Sequence, residues 1–202
     1  MFSAPHPDDV IRDLGDKVVI ALVAATRDAR EELATYRETR PGWVADHSER
    51  GLANWIHDRI WANLRREVDG ITDVTLIEKH STRELLVGDR FRARIKRHSS
   101  GDRISSYPTK SAMSFWGQSN QLPGLEEVCL GFGYRWEAEE RLMGATVISL
   151  RESLDGPPIW AVVVDTAQAG GATVITTSPI DPSLPQIDLS TAIDRTRDEE
   201  TS

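Results

Sequence analysis

The chain has 202 residues, 39% hydrophobic and 28% charged, which suits one well-buried globular core and argues against two full domains. No apolar run approaches the roughly eighteen residues of a membrane span, and the start M-F-S-A-P-H-P-D-D has neither a basic nor an apolar leader region. The single cysteine, Cys129, excludes a disulfide framework within the chain, so the expectation is a cytoplasmic protein with no membrane partner, and Cys129 reads as a small buried filler.

Residues 1–8 carry two prolines and no periodic pattern, as in a mobile lead-in. From Asp8 or Asp9 the apolar positions Val10, Leu14, Val18, Leu22, Ala25, Ala29, Leu33 and Tyr36 recur at steps of three and four, predicting a helix that Gly15 weakens near its start and Pro41-Gly42 closes. Asp46 and Glu49 have capping-box spacing ahead of a second helix. Its buried row is Leu52, Ile56, Ile60, Leu64 and Val68, with Trp55 and Trp61 as core or interface anchors and Asp69-Gly70 as the stop. His57 has no second ligand at an H-E-x-x-H offset, which leaves it structural or solvent-facing.

After Gly70 the period falls to two. A first strand is predicted around residues 73–78, and a second stretch starts at Glu84. Gly88-Asp89 interrupts that stretch, either as a bulge or as a turn dividing two strands. Ser99-Ser100-Gly101-Asp102 forms a loop from which residues 104–107 can pair back. Thr109 caps a short helix carrying Ala112, Met113 and Trp116. Strands follow at 128–134, 145–151 and 159–165, the last two joined across Asp155-Gly156-Pro157-Pro158. The expected architecture is α+β: two N-terminal helices on a mostly antiparallel sheet of about five strands, in one domain over residues 9–165. Residues 166–202 read as a flexible acidic tail with Ile175, Ile180, Leu184, Ile187 and Leu189 as anchors.

Residues 90–98, R-F-R-A-R-I-K-R-H, stand out from the rest. Phe91, Ala93 and Ile95 alternate with Arg90, Arg92, Arg94 and Lys96, so one strand turns four cations toward water. From residue 79 to residue 110 there are nine Lys or Arg against three Asp or Glu, net +6. The other residues hold fifteen basic and twenty-nine acidic side chains, net −14, so the overall −8 hides a basic stretch of 32 residues. Cations that close repel, and they need either interleaved carboxylates or an anionic partner. Arg90, Arg92, Arg94, Lys96, Arg103 and Lys110 are therefore the candidate anion or nucleic-acid contacts. Two other readings stay open. The face can be paired to Glu84, Asp89, Asp102 or acids elsewhere in the chain. Alternatively, Tyr107, Arg92 or Arg94, and His98 can supply the base, the cation and the acid of a metal-independent ribonuclease, if the fold joins them.

Phosphate-binding loops, nucleophile elbows and C-x-x-C pairs do not occur, and Gly131-Phe132-Gly133 lacks the third glycine of a dinucleotide site. No cofactor and no metal are expected. The stretches R-F-R-A-R-I-K-R-H, I-S-S-Y-P-T, L-G-F-G-Y-R-W and V-I-S-L-R together resemble a group of small actinobacterial proteins. These are encoded beside helix-turn-helix regulators with ImmA/IrrE-like peptidase domains, an arrangement proposed as toxin–antitoxin. The resemblance spans about residues 52–164 and implies one member of a two-protein module, with a cognate regulator as protein partner and the acidic tail as a docking segment or as a cover for the basic strand. The expected function is non-catalytic regulatory or defence-related binding through the basic strand face to an anionic partner, nucleic acid foremost. The alternative is the ribonuclease-like toxin under control of a partner protein.

Overall fold

A computed structural model describes residues 4–79, 82–117, 127–154 and 156–165, with the backbone alone described for 173–177. Four helices come first: α1 (Pro7–Leu14), α2 (Asp16–Thr39), α3 (Pro41–Asp46) and α4 (Glu49–Glu67). The expected first helix is thus two, because Gly15 adopts a φ of 82°, a conformation that suits glycine and breaks the run. Pro41 opens α3 instead of closing the element, since a first-turn proline forfeits no hydrogen bond. Ser48, not Asp46, caps α4, its Oγ accepting from Gly51 N–H at 3.0 Å. The described part of the lead-in, from residue 4 on, is tied down as well. His6 Nδ1 accepts from Asp8 N–H at the start of α1, and the Pro5 carbonyl accepts from Trp160 Nε1–H at 2.9 Å.

The sheet holds β1 (Val74–Lys79), β2 (Thr82–Val87), β3 (Phe91–His98), β4 (Val128–Glu137), β5 (Leu142–Leu150) and β6 (Trp160–Asp165) in sequence order, and β7 (Thr173–Thr177) adds a seventh at the far edge. Gly88, at φ 58°, belongs to a turn that divides β2 from β3. β7 takes up the start of the stretch expected as a tail, Ile175 included; Ile180, Leu184, Ile187 and Leu189 lie outside the described residues. All pairings are antiparallel except β3 with β4, which run parallel from Phe91↔Val128 to His98↔Arg135. The sheet is therefore mixed, not a meander. A parallel pair needs a long crossover. Residues 99–127 supply it and carry α5 (Lys110–Trp116). Of the expected return strand, Ile104 makes a bridge to His98 and residues 105–109 are irregular.

Strand alternation sends the two faces of the sheet to different layers. Phe91, Ala93, Ile95, Val128, Leu130 and Phe132 join the helices, where Leu22, Leu52, Ile56, Ile60 and Leu64 complete the main core. Cys129, one residue out of step, points the other way into a smaller cluster with Ala112, Phe115, Trp116 and Leu154. Burial pushes the Cys129 thiol up to about 12, with Glu127 adding to the effect. α5 begins as expected, Thr109 Oγ1 accepting from Ala112 N–H at 3.1 Å, but Phe115 takes the buried place and Met113 faces solvent. Among the described residues no helix is long and apolar enough to cross a membrane.

Candidate functional site

The alternation of β3 sends Arg92, Arg94 and Lys96 to the face opposite the main core, as expected, but they do not form an open ridge. β2 pairs antiparallel with β3 through Leu86↔Arg92 and Leu85↔Ala93, which brings Glu84 level with Arg94. Its carboxylate is 4% exposed and takes both guanidinium groups. Arg94 donates to Oε1 at 2.9 and 2.5 Å, and Arg92 donates to Oε2 and, at 3.1 Å, to Glu127. Burial alone would raise the Glu84 carboxyl, but the hydrogen bonds from Arg92 and Arg94 outweigh it and hold its pKa below the usual value. Phe115 of α5 lies against this pair, 4.0 Å from the Arg94 guanidinium carbon to the ring centre.

The neighbouring cations are answered from outside the basic stretch. Arg90 pairs with Asp13, Arg97 with Glu49, and Arg83 with Asp58 and Glu78. The net +6 of the sequence is thus largely cancelled in space by acids of α1, α4 and β1. Of the readings left open, pairing to Glu84 and to distant acids is what Arg90, Arg92 and Arg94 adopt; Asp102 pairs instead with Arg135, through two bonds of 2.8 Å.

Lys96, Arg103 and Lys110 behave differently. Lys96 Nζ donates to Ser106 Oγ at 3.0 Å, and Arg94 Nη2 donates to Ser111 Oγ at 3.2 Å, so residues 103–111 run as a strap along β3. Burial, with the nearby charge of Arg94, lowers the Lys96 amine to about 8. Arg103, Lys110 and Tyr107 are exposed on this strap, Tyr107 to 83%. Among the described residues neither Arg103 nor Lys110 has a carboxylate partner within ion-pair distance.

The proposed acid of a ribonuclease mechanism sits elsewhere. His98 is fully buried, its Nε2 2.9 Å from Ser149 Oγ. Burial, with help from the charge of Arg151, pushes its pKa down to about 3, so the ring is neutral at physiological pH. Tyr107 is in solvent, and the structure does not bring the two together. His98 instead belongs to a structural polar layer. Gly131 leaves room for Ser149 and Trp116, since a Cβ there would stand 2.7 Å from Ser149 Oγ and 3.5 Å from the Trp116 ring. The buried Arg151 donates to the carbonyls of Gly156, at 3.0 Å, and Asp102.

One end of the strap borders a cleft of about 610 Å³ between the 99–105 turn and the β4–β5 hairpin. Arg97, Arg103, Ser99, Ser105, Trp136 and Glu139 are among its lining. Charge counting along the sequence points to the Arg103 side of this cleft but not to its acidic wall, which comes from the 137–140 hairpin turn. Among the described residues no group of three or more His, Cys, Asp or Glu is placed to hold a metal ion.

No protein-family model matches the chain, and neither a curated protein nor a solved structure is found similar to it.

Proposed function

We propose that the protein is a non-catalytic binding protein that contacts single-stranded nucleic acid through the strap over β3, with Arg103 and Lys110 as phosphate contacts, Lys96 beneath them and Tyr107 as a stacking platform. The observation that carries this reading is the split among the cations. The arginines of β3 and its flank are consumed by internal carboxylates, whereas Arg103 and Lys110 stand exposed on the same strap as the bare ring of Tyr107. A groove of cations interleaved with an aromatic is the arrangement that holds a single strand without reading every base. The wider role, regulation or defence as one member of a two-protein module with a cognate regulator, rests on the resemblance of residues 52–164. The strap sits within that span.

The test is fluorescence anisotropy with a labelled ten-nucleotide oligouridylate. Two phosphate contacts on a single strand give a slope of log affinity against log salt of about −1.4. Charge reversal by Arg103→Glu with Lys110→Glu lowers affinity by at least about tenfold, because two attractive contacts become repulsive. The strand remains intact after incubation. No binding by the unmodified protein refutes the reading, and cleavage of the strand replaces it with the ribonuclease-like alternative.

A further inference from the structure

The cleft at the end of the strap has two chemically opposed walls, and together they specify more than an anion. One side carries Arg103, which lacks a carboxylate partner among the described residues, and the hydroxyls of Ser99, Ser100 and Ser105. The other is the β4–β5 hairpin turn with Glu137, Glu139 and Glu140, all exposed; Glu137 shares the field of Arg135, whereas Glu139 and Glu140 have no cationic partner within ion-pair distance among the described residues. Arg97 also lines the cleft and brings a flat cation to it from the helix side of β3. The Arg97 guanidinium sits 5.4 Å from the centre of the Trp136 ring and is anchored by Glu49 at 3.1 Å, with its side chain 31% exposed.

A carboxylate accepts hydrogen bonds and cannot donate them. The acidic wall therefore repels a phosphate and repels the acceptor edge of a base, but it attracts adjacent N–H donors. Guanine is the base that offers two such donors side by side, N1–H and N2–H, which match the two oxygens of one carboxylate. Adenine and cytosine place an acceptor beside their amine, and uracil flanks its single N–H with two carbonyls. A guanidinium plane is a recognised surface for stacking an unpaired base. A phosphate left at the mouth of the cleft meets Arg103. The volume, about 610 Å³, falls within the ordinary range for a small-ligand pocket.

Resting on the single-strand reading above, we infer that this cleft receives one guanine of the bound strand, its Watson–Crick donors on the Glu137–Glu140 wall and its phosphate on Arg103. The strap then supplies affinity without sequence, and the cleft supplies the preference.

The experiment compares labelled oligouridylates of ten nucleotides whose sixth residue is guanosine, inosine, adenosine or uridine. The guanosine strand binds about tenfold tighter than the adenosine and uridine strands, as one bidentate contact provides. Inosine, which keeps N1–H and lacks the amino group, falls between. The triple variant Glu137→Gln, Glu139→Gln, Glu140→Gln, all at exposed positions, loses the preference while still binding plain oligouridylate. Equal affinities for all four strands overturn the guanine site and leave the strap reading standing. A preference that survives the triple variant also overturns it. Failure of every strand to bind overturns both.

Discussion

Replacing Glu84 with Gln removes the carboxylate on which Arg92 and Arg94 converge. Its side chain is 4% exposed, Arg94 is 13% exposed, and Arg92 is 32% exposed with a second partner in Glu127 at 3.1 Å. Breaking a buried pair costs about 3–5 kcal/mol, and the residual partner and partial hydration of Arg92 place this case near about 3 kcal/mol. For a chain of this length that is a fall in melting temperature of about 6–12 °C. The assay is urea unfolding of the two proteins across pH. The folded-state pKa of Glu84 lies below its ordinary value, so its stabilisation is complete above the unfolded carboxylate range, about 4.3, and fades as pH falls through the folded pKa. The gap between the proteins is therefore full at pH 7 and closes in acid. A difference under about 1 kcal/mol at pH 7, the size of a surface pair, would mean that the two arginines extend into water and that β3 is an open cationic ridge after all.

His98 makes a second pH statement. Its folded pKa of about 3 lies below the unfolded value of about 6.5, so the unfolded chain binds the extra proton and stability falls as pH drops from about 6.5 toward 3. His98→Gln flattens that part of the stability profile, measured by thermal melts from pH 7 to pH 4. Gly133→Ala should prevent folding to the native state. The added Cβ would stand 1.9 Å from the Lys96 carbonyl oxygen on the parallel partner strand, a backbone atom that cannot step aside without breaking the pairing, and loss of near-ultraviolet circular dichroism reports it. Cys129 is 4% exposed with its thiol pushed up to about 12, so iodoacetamide at pH 8 labels it only as fast as the protein unfolds, and labelling of the folded protein within minutes would contradict its placement.

Much of the local structure was legible because it rests on short-range physics. The apolar rows of α2 and α4, the Thr109 cap of α5 and the period of two in β3 are set by residues within a turn or two of one another. The partner of the basic face was also within reach. Choosing the turn over the bulge at Gly88-Asp89 pairs Val87 with Phe91, and counting outward brings Glu84 opposite Arg94. Other features had no local signal. The parallel pairing of β3 with β4 depends on where a crossover of nearly thirty residues lands, and the hairpin loop at residues 99–102 suggested an immediate return instead.

The sequence by itself determined which faces are apolar, where the two long helices and most strands lie, and that nine of the basic residues crowd into 32 of the 202 residues. Only the tertiary structure decided what that crowding means. Coulomb energy depends on distance through space and not along the chain, so Asp13, Glu49, Asp58 and Glu127 can neutralise arginines tens of residues away. The same folding leaves Arg103 and Lys110 uncovered on the strap, because the sheet that gathers the other cations passes beneath it.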